Sequence, residues 1–196
     1  MSNIIRNTAK FSLYIVKNYA EKGDVLVDAT CGKGNDTMQL LQYSPSKLYA
    51  FDIQKEALEY TKERLISAGY GDEISFGKNR EKRINLICGS HSHMARFITE
   101  PVKAAVFNLG YLPGGDKSLT TKPSSTLSAI KACLGLMKAD GIVSITMYSG
   151  HPQGREEKKA VLDFAANLDK RKYHCAYINM LNQPKEPPEI LLITPK

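Results

Sequence analysis

Short apolar runs rich in valine and isoleucine recur along the chain, each followed by a turn signal and a longer stretch with helical spacing. This alternation restricts the fold to the α/β class. The runs are VLVDA (25–29), KLYAFDI (47–53), INLICG (84–89), AAVFNLG (104–110), GIVSITMY (141–148), HCAYINML (174–181) and EILLITP (189–195). Most are apolar almost without interruption, which predicts a mostly parallel sheet of seven strands covered by helices on both faces. The spacing predicts helices over 4–20, 35–43, 54–68, 91–98, 124–138 and 154–169. Only NQPKEPP separates the last two runs, so those strands are expected to form an antiparallel pair at one edge. The charged stretch GKNREKR (77–83) reads as a solvated connection.

A chain of 196 residues suits one substantial core. A single domain over 1–196 is expected, with the helix in 1–22 packed on it. No segment approaches the roughly 18 apolar residues that cross a bilayer. The first helix is interrupted by Arg6, Lys10 and Lys17 and lacks a small-residue cleavage site, so a cytoplasmic protein without a membrane partner is expected. Cys31, Cys88, Cys133 and Cys175 are scattered, with no C-x-x-C pair, and are expected as reduced thiols. Lysine and arginine number 27 against 20 aspartates and glutamates, a net charge of +7. Such a surplus favours approach to a polyanion and equally favours solubility, so it acquires meaning only from a site.

DATCGKGNDT (28–37) follows the first strand and opens the first α/β helix, the place where nucleotide cofactors bind in folds of this class. Gly32 and Gly34 allow a tight turn and a close backbone approach. A pyrophosphate would meet backbone N–H groups here, but Asp28 ends the strand, Asp36 sits inside the turn, and only Lys33 is near enough in sequence to offset them. Two carboxylates suit a cofactor with an ammonium and a sulfonium, S-adenosylmethionine. Asp52 lies 20 residues beyond Gly32 (52 minus 32), the distance at which a carboxylate takes ribose hydroxyls. It could also cap the helix of QKEALEYTKERL. Gln54 follows it, and Ser90 and His91 in CGSHSH end the third strand, where the adenine is expected. His91 and His93 lack further ligands, and no metal is expected.

FNLGYLPGGDKSLTT (107–121) contains GYLPGGDKS, a near match to the phosphate loop G-x-x-x-x-G-K-[ST]. It follows the fourth strand instead of the first, and Asp116 intervenes before Lys117, so that reading fails on both place and spacing.

Together, DATCGKGNDT, YAFDIQ, FNLGYLPGGDKSLTT and HPQG resemble a small family of class I methyltransferases first labelled rRNA methylases, whose characterised members are tRNA 5-(aminomethyl)-2-thiouridine methyltransferases. The resemblance runs over 23–196. It implies a Rossmann-like fold, S-adenosylmethionine as donor, and methylation of the aminomethyl nitrogen on the wobble uridine in the tRNA anticodon loop. Carried over position by position, it places Lys33 or Asn35, Asp36, Asp52, Gln54, Ser90 and His91 around the cofactor, beside Asp28, Gly32 and Gly34 read from the loop itself.

Amine methylases of this class carry an Asn or Asp followed by an aromatic at the end of the fourth strand, and Asn108 and Tyr111 in NLGY answer that description. A neutral amine must be held in line with the methyl carbon at roughly 3 to 3.5 Å. The Asn108 side-chain oxygen and a carbonyl of Leu109 or Gly110 are suitable acceptors for its hydrogens. Tyr111 is expected to stack on a base, with a core tyrosine as the other reading. Pro113, Gly114 and Gly115 would shape the pocket, His151 or Asp116 would assist proton loss, and Lys117, Lys122 and Arg155 would meet phosphates. A homodimer would widen that basic surface. Two other functions stay open: methylation of rRNA or of a small amine, and a nucleotide- or RNA-binding module without transfer activity.

Overall fold

The computed structural model describes residues 4–77, 79, 81–110, 121–184 and 186–196. Eight strands form one sheet in the order β3-β4-β2-β1-β5-β6-β8-β7. They are β1 (Val25–Asp28), β2 (Lys47–Asp52), β3 (Ile74–Phe76), β4 (Ile84–Cys88), β5 (Val102–Leu109), β6 (Met137–Met147), β7 (Tyr173–Ile178) and β8 (Glu189–Pro195). The helices are α1 (Thr8–Lys17), α2 (Asn35–Leu41), α3 (Lys55–Ser67), α4 (Pro123–Leu136) and α5 (Pro152–Ala166). The expected seven strands become eight because ISF at Ile74–Phe76, too short to carry a periodic signal, gains its order from parallel pairing with β4. All pairings are parallel except those of β8, which runs antiparallel to both β6 and β7 and so places the last pair at one edge.

The helices are shorter than the spacing predicts, for local reasons. The Asn7 side chain accepts from the Lys10 N–H at 3.0 Å, starting α1 at Thr8 and leaving Ile4–Arg6 as a separate 3-10 turn. The stretch after β4 is a 3-10 helix, His91–Arg96, opened by Ser90 accepting from the Ser92 N–H. Pro123 and Pro152 occupy the first turns of α4 and α5, where proline's missing N–H costs nothing.

Alternate strand residues fill two layers. Leu26, Leu48, Ala50, Val106 and Ile142 pack against Leu13 and Val16 of α1, Leu40 of α2 and Leu58 and Leu65 of α3. Val27, Phe51, Phe107, Val143 and Ile145 pack against Ile130 and Cys133 of α4 and Val161 of α5. Each fully buried side chain of this size contributes about 1.5 to 3 kcal/mol. α1 is also tied to the sheet by a buried hydrogen bond of 2.7 Å between the Ser12 and Ser144 hydroxyls. Among the described residues no helix is long and apolar enough to cross a membrane.

β1 lies between β2 and β5. The chain winds outward from β1 in both directions, so a crevice opens at the carboxyl ends of these strands.

Candidate active site

A cleft of about 1580 Å³ occupies that crevice. Its lining includes the loop after β1 (Thr30, Cys31, Gly32, Lys33), Asp36 of α2, Asp52 and Gln54 after β2, Ser90 and His91 after β4, Asn108 and Gly110 after β5, and Tyr148 to His151 after β6. The strand ends converge here because β1, β2, β4, β5 and β6 are mutually parallel.

The glycine loop is built by backbone and threonine contacts. Cys31 N–H donates to the Phe51 carbonyl at 2.9 Å, and the Thr61 hydroxyl donates to the Gly32 carbonyl at 2.9 Å. Gly34 has φ 74° and caps α2, and a Cβ there would meet Thr61 Oγ1 at 2.8 Å. Its part is thus conformational, and the cleft is lined by its neighbours.

Asp52 bridges loop and strand. One oxygen accepts from the Gly32 N–H at 2.9 Å and the other from the Gln54 N–H at 2.9 Å. Gln54, not Asp52, stands at the N-cap of α3. Burial raises the Asp52 carboxyl against the lowering effect of these hydrogen bonds. A carboxylate has about four acceptor sites, so lone pairs remain for ribose hydroxyls in the cleft.

Asp28 differs from its expected role. It is fully buried beneath the cleft, outside the lining, with its oxygens accepting from the Thr37 hydroxyl at 2.6 Å and the Thr30 N–H at 3.3 Å. It holds the loop from below through Thr37 and Thr30. Burial, reinforced by the negative charge of Asp36, pushes its carboxyl up to about 7. Burial likewise raises Asp36 to about 6, although a hydrogen bond from Asn108 opposes the shift. Among the described residues no cation forms an ion pair with Asp28, Asp36 or Asp52. Lys33, the expected offset, lies over the Tyr60 ring at 5.5 Å, and Asn35 Oδ1 accepts from Arg64.

These shifts have a measurable sign. A carboxyl raised from 3.8 in the unfolded chain to about 7 in the fold adds stability that is complete below about 4 and is lost as pH rises to 7. The thermal midpoint of the ligand-free protein is therefore expected to fall over that window more steeply than in Asp28→Asn. Parallel curves for the two proteins would refute the assignment.

Asn108 is held by two hydrogen bonds. Its backbone N–H donates to the Thr30 hydroxyl at 2.7 Å and its Nδ2 donates to Asp36, while its Oδ1 is buried with no partner among the described residues. An ionised Asp36 only accepts hydrogen bonds and an amide oxygen has none to donate, so Asp36 sets the amide with Nδ2 toward itself and Oδ1 turned away. His91 is comparable: its Nδ1 donates to the Ala29 carbonyl at 3.0 Å, leaving buried Nε2 as an acceptor with no partner among the described residues. Burial lowers its pKa and keeps the ring neutral.

Gly110, at φ 151°, and Thr121 close on one another. Gly110 N–H donates to the Thr121 hydroxyl at 3.0 Å and the Thr121 N–H to the Gly110 carbonyl at 3.1 Å. Thr121 and Thr126 hydroxyls donate to the two oxygens of Glu157, a buried carboxylate of α5 raised by burial. His151 caps α5, its Nδ1 accepting from the Gly154 N–H at 3.1 Å. Arg155 donates to the Ser149 carbonyl and pairs with Glu186 at 3.7 Å. Tyr111, Pro113, Gly114, Gly115, Asp116 and Lys117 lie outside the described residues.

Tyr148, Thr30, Thr121 and Glu157 were not singled out in the sequence. Tyr148 sits across from Gly110, where a Cβ would be 3.7 Å from its own Cβ, and is 38% exposed to the cleft. An aromatic closing the run GIVSITMY was the available signal for it. The threonines and Glu157 carry no sequence signal, because their partners are far along the chain.

A mostly parallel sheet ending in an antiparallel pair, with a glycine loop after β1 bound to the carboxylate that ends β2, defines the class I methyltransferase architecture. The family model described as "Putative rRNA methylase" matches residues 48–194, and the chain belongs to this family. A chain from Clostridium thermocellum described as a putative rRNA-methylase is 34% identical, with a TM-score of 0.88 over 97% of this chain and 98% of that one. A putative methyltransferase from Streptococcus mutans, solved in complex with SAH, is 34% identical, with a TM-score of 0.84 over 100% of this chain and 99% of that one. The chain is 39% identical over 176 residues to the Arabidopsis thaliana chloroplastic tRNA (mnm(5)s(2)U34)-methyltransferase. That match covers 85% of this chain and 62% of the plant protein, so the chain spans less than two thirds of that relative's length.

Proposed function

We propose that the protein is an S-adenosylmethionine-dependent N-methyltransferase that converts the aminomethyl group of the wobble uridine in tRNA to a methylaminomethyl group. The observation that carries this reading is the Asn108 carboxamide at the end of β5, its Nδ2 held by Asp36 and its backbone by Thr30, with Oδ1 buried and unpaired among the described residues. The plant relative and the complex of the Streptococcus mutans protein with SAH support it.

The cleft fits the donor. Asp36 lines it as a carboxylate raised to about 6 without a cationic partner, which suits an ammonium-bearing ligand. Asp52 would accept from ribose hydroxyls, and His91 Nε2 would accept a hydrogen bond from the ligand. When bound, the donor supplies an electrophilic methyl group.

On the acceptor side, the protonated amine first gives a proton to water; His151 lies on the cleft wall, but its acceptor nitrogen Nδ1 is engaged by the Gly154 N–H. Asn108 Oδ1 then accepts one N–H of the neutral amine and turns the nitrogen lone pair toward the methyl group. The Gly110 carbonyl is already engaged by Thr121, so Asn108 takes the larger share of this positioning. The N–C bond forms as the S–C bond breaks, and the new ammonium loses its second proton to solvent.

Tyr148 would stack on the uracil beside Asn108. Its replacement by alanine is expected to raise KM for tRNA by roughly 5- to 100-fold, the equivalent of a stacking contact of about 1 to 3 kcal/mol. Tyr148→Phe should match wild type, and calorimetric affinity for S-adenosylhomocysteine should be unchanged in both. A loss shared by the phenylalanine variant would argue for a hydroxyl role instead.

Mass spectrometry of nucleosides tests the function. Transcripts carrying the aminomethyl group should gain one methyl on its nitrogen, and those lacking it should gain none. Methylation of rRNA, with modified tRNA untouched, would sink the proposal.

A further inference from the structure

The cleft separates charge between its floor and one wall. Its floor holds Asp36 and Asp52 above buried Asp28, an arrangement that repels a phosphodiester chain. The wall formed by α1 is different. Residues 4–20 include Arg6, Lys10 and Lys17 and no carboxylate. Lys10, Tyr14 and Lys17 are spaced i, i+4 and i+7, so they share one face of the helix, and all three line the cleft. They are exposed, Tyr14 at 52%, while Ser12, Leu13 and Val16 bury the other face against the sheet. Neither lysine forms an ion pair among the described residues. Seven residues at a 1.5 Å rise set the two lysines about 10 Å apart along the axis. Beside them in the cleft lining, Gln39, Gln42 and Tyr43, the last bonded through its hydroxyl to the Leu13 carbonyl of α1 at 3.1 Å, bring no side-chain cation or carboxylate.

We propose that the Lys10–Tyr14–Lys17 face of α1 binds the phosphodiester backbone of the RNA whose base enters the cleft, with Tyr14 stacking on an adjacent unpaired base. The inference rests on RNA being the substrate and adds the surface that holds it. Two unpaired ammonium groups on a carboxylate-free helix are complementary to phosphates. An exposed aromatic between them offers a π-face to a single-stranded loop. The wall stands beside an acidic floor that only the base and its amine need approach. Charge thereby orients the RNA, with its backbone on α1 and its modified base toward Asn108.

The test uses the full chain and a fluorescent anticodon stem-loop RNA without the aminomethyl group, titrated at several salt concentrations. Lys10→Ala/Lys17→Ala removes two phosphate contacts. It should lower the slope of log K against log salt by about 1.5 and weaken binding roughly tenfold near physiological salt. Lys170→Ala/Lys172→Ala, the same loss of charge at exposed positions outside the cleft lining, should leave both near wild type. Tyr14→Ala should weaken binding at least several-fold with the salt slope intact, and Tyr14→Phe should not. All variants should keep wild-type affinity for S-adenosylhomocysteine, which reads intact folding. If wild type binds the RNA and the two double variants weaken it equally, the α1 surface is overturned while the RNA reading stands. If wild type binds no RNA, both fall.

Discussion

Asn108→Ala is expected to lower kcat by roughly 100-fold or more, the scale on which a misplaced reacting group costs rate. Affinity for S-adenosylhomocysteine, measured at pH 8 where Asp36 is ionised, should change by only a few-fold. The reason is geometric. Asn108 Oδ1 is a buried acceptor with no partner among the described residues, while Nδ2 is spent on Asp36 and the backbone N–H on Thr30. A carboxamide whose Nδ2 is held by Asp36 and whose buried Oδ1 is left over is organised for a ligand, since an unsatisfied buried acceptor costs about 1 to 3 kcal/mol. Asp36→Asn supplies the companion measurement. It preserves shape but offers the Asn108 amide a partner in either orientation, so part of the population turns Oδ1 toward residue 36 and kcat falls. Equal losses of turnover and of donor affinity in Asn108→Ala would move this residue from the nucleophile to the cofactor.

Gly154→Ala should be strongly disruptive, since its Cβ meets the shortest contact among the glycines compared. A Cβ at Gly154 would lie 2.1 Å from the Tyr148 carbonyl oxygen and 2.9 Å from the His151 ring. The nearest atom is backbone at the end of β6 and cannot rotate away, so the first turn of α5 must shift as a unit. That shift breaks the cap from His151 Nδ1 to the Gly154 N–H and strains the Glu157 bonds to Thr121 and Thr126. The expected loss is about 3 kcal/mol, the upper end for overpacking a closed site. Gly150→Ala is the control, because a Cβ there meets nothing within 4 Å and Gly150 has no positive φ. Urea midpoints should therefore fall markedly for Gly154→Ala and hardly at all for Gly150→Ala. A near-neutral Gly154→Ala would mean that α5 is free to slide on the sheet. Methylation should fall with Gly154→Ala even where the protein stays folded, because Thr121 anchors Gly110 two residues beyond Asn108.

The two glycine stretches illustrate different degrees of legibility. DATCGKGNDT was readable because strand, turn and helix signals are contiguous, and Asp52 because 20 residues is the length of one helix and one return strand. The structure brings Asp52 to the glycine loop, where it accepts from the Gly32 N–H. Asp28 was misread in its role: a strand ending in aspartate does not disclose whether the carboxylate points into the cleft or beneath it, and Thr37 draws it beneath. Asn108 was visible as a polar residue closing an apolar strand, but its clamp by Asp36 joins positions 72 apart. β3 was invisible because three residues carry no period, and it exists through its neighbour β4.

By itself the sequence determined the α/β class, the antiparallel last pair, the carboxylate-lined glycine loop and the acid-free first helix. Each depends on residues near one another along the chain, where periodicity and turn chemistry act. Only the tertiary structure decided that Asp36 orients Asn108, that Tyr148 faces Gly110, that Glu157 ties Thr121 in place and that α1 walls the same cleft. These contacts depend on the order in which parallel strands are laid side by side. That order follows from packing both faces of the sheet together, a property of the whole chain that no local window contains.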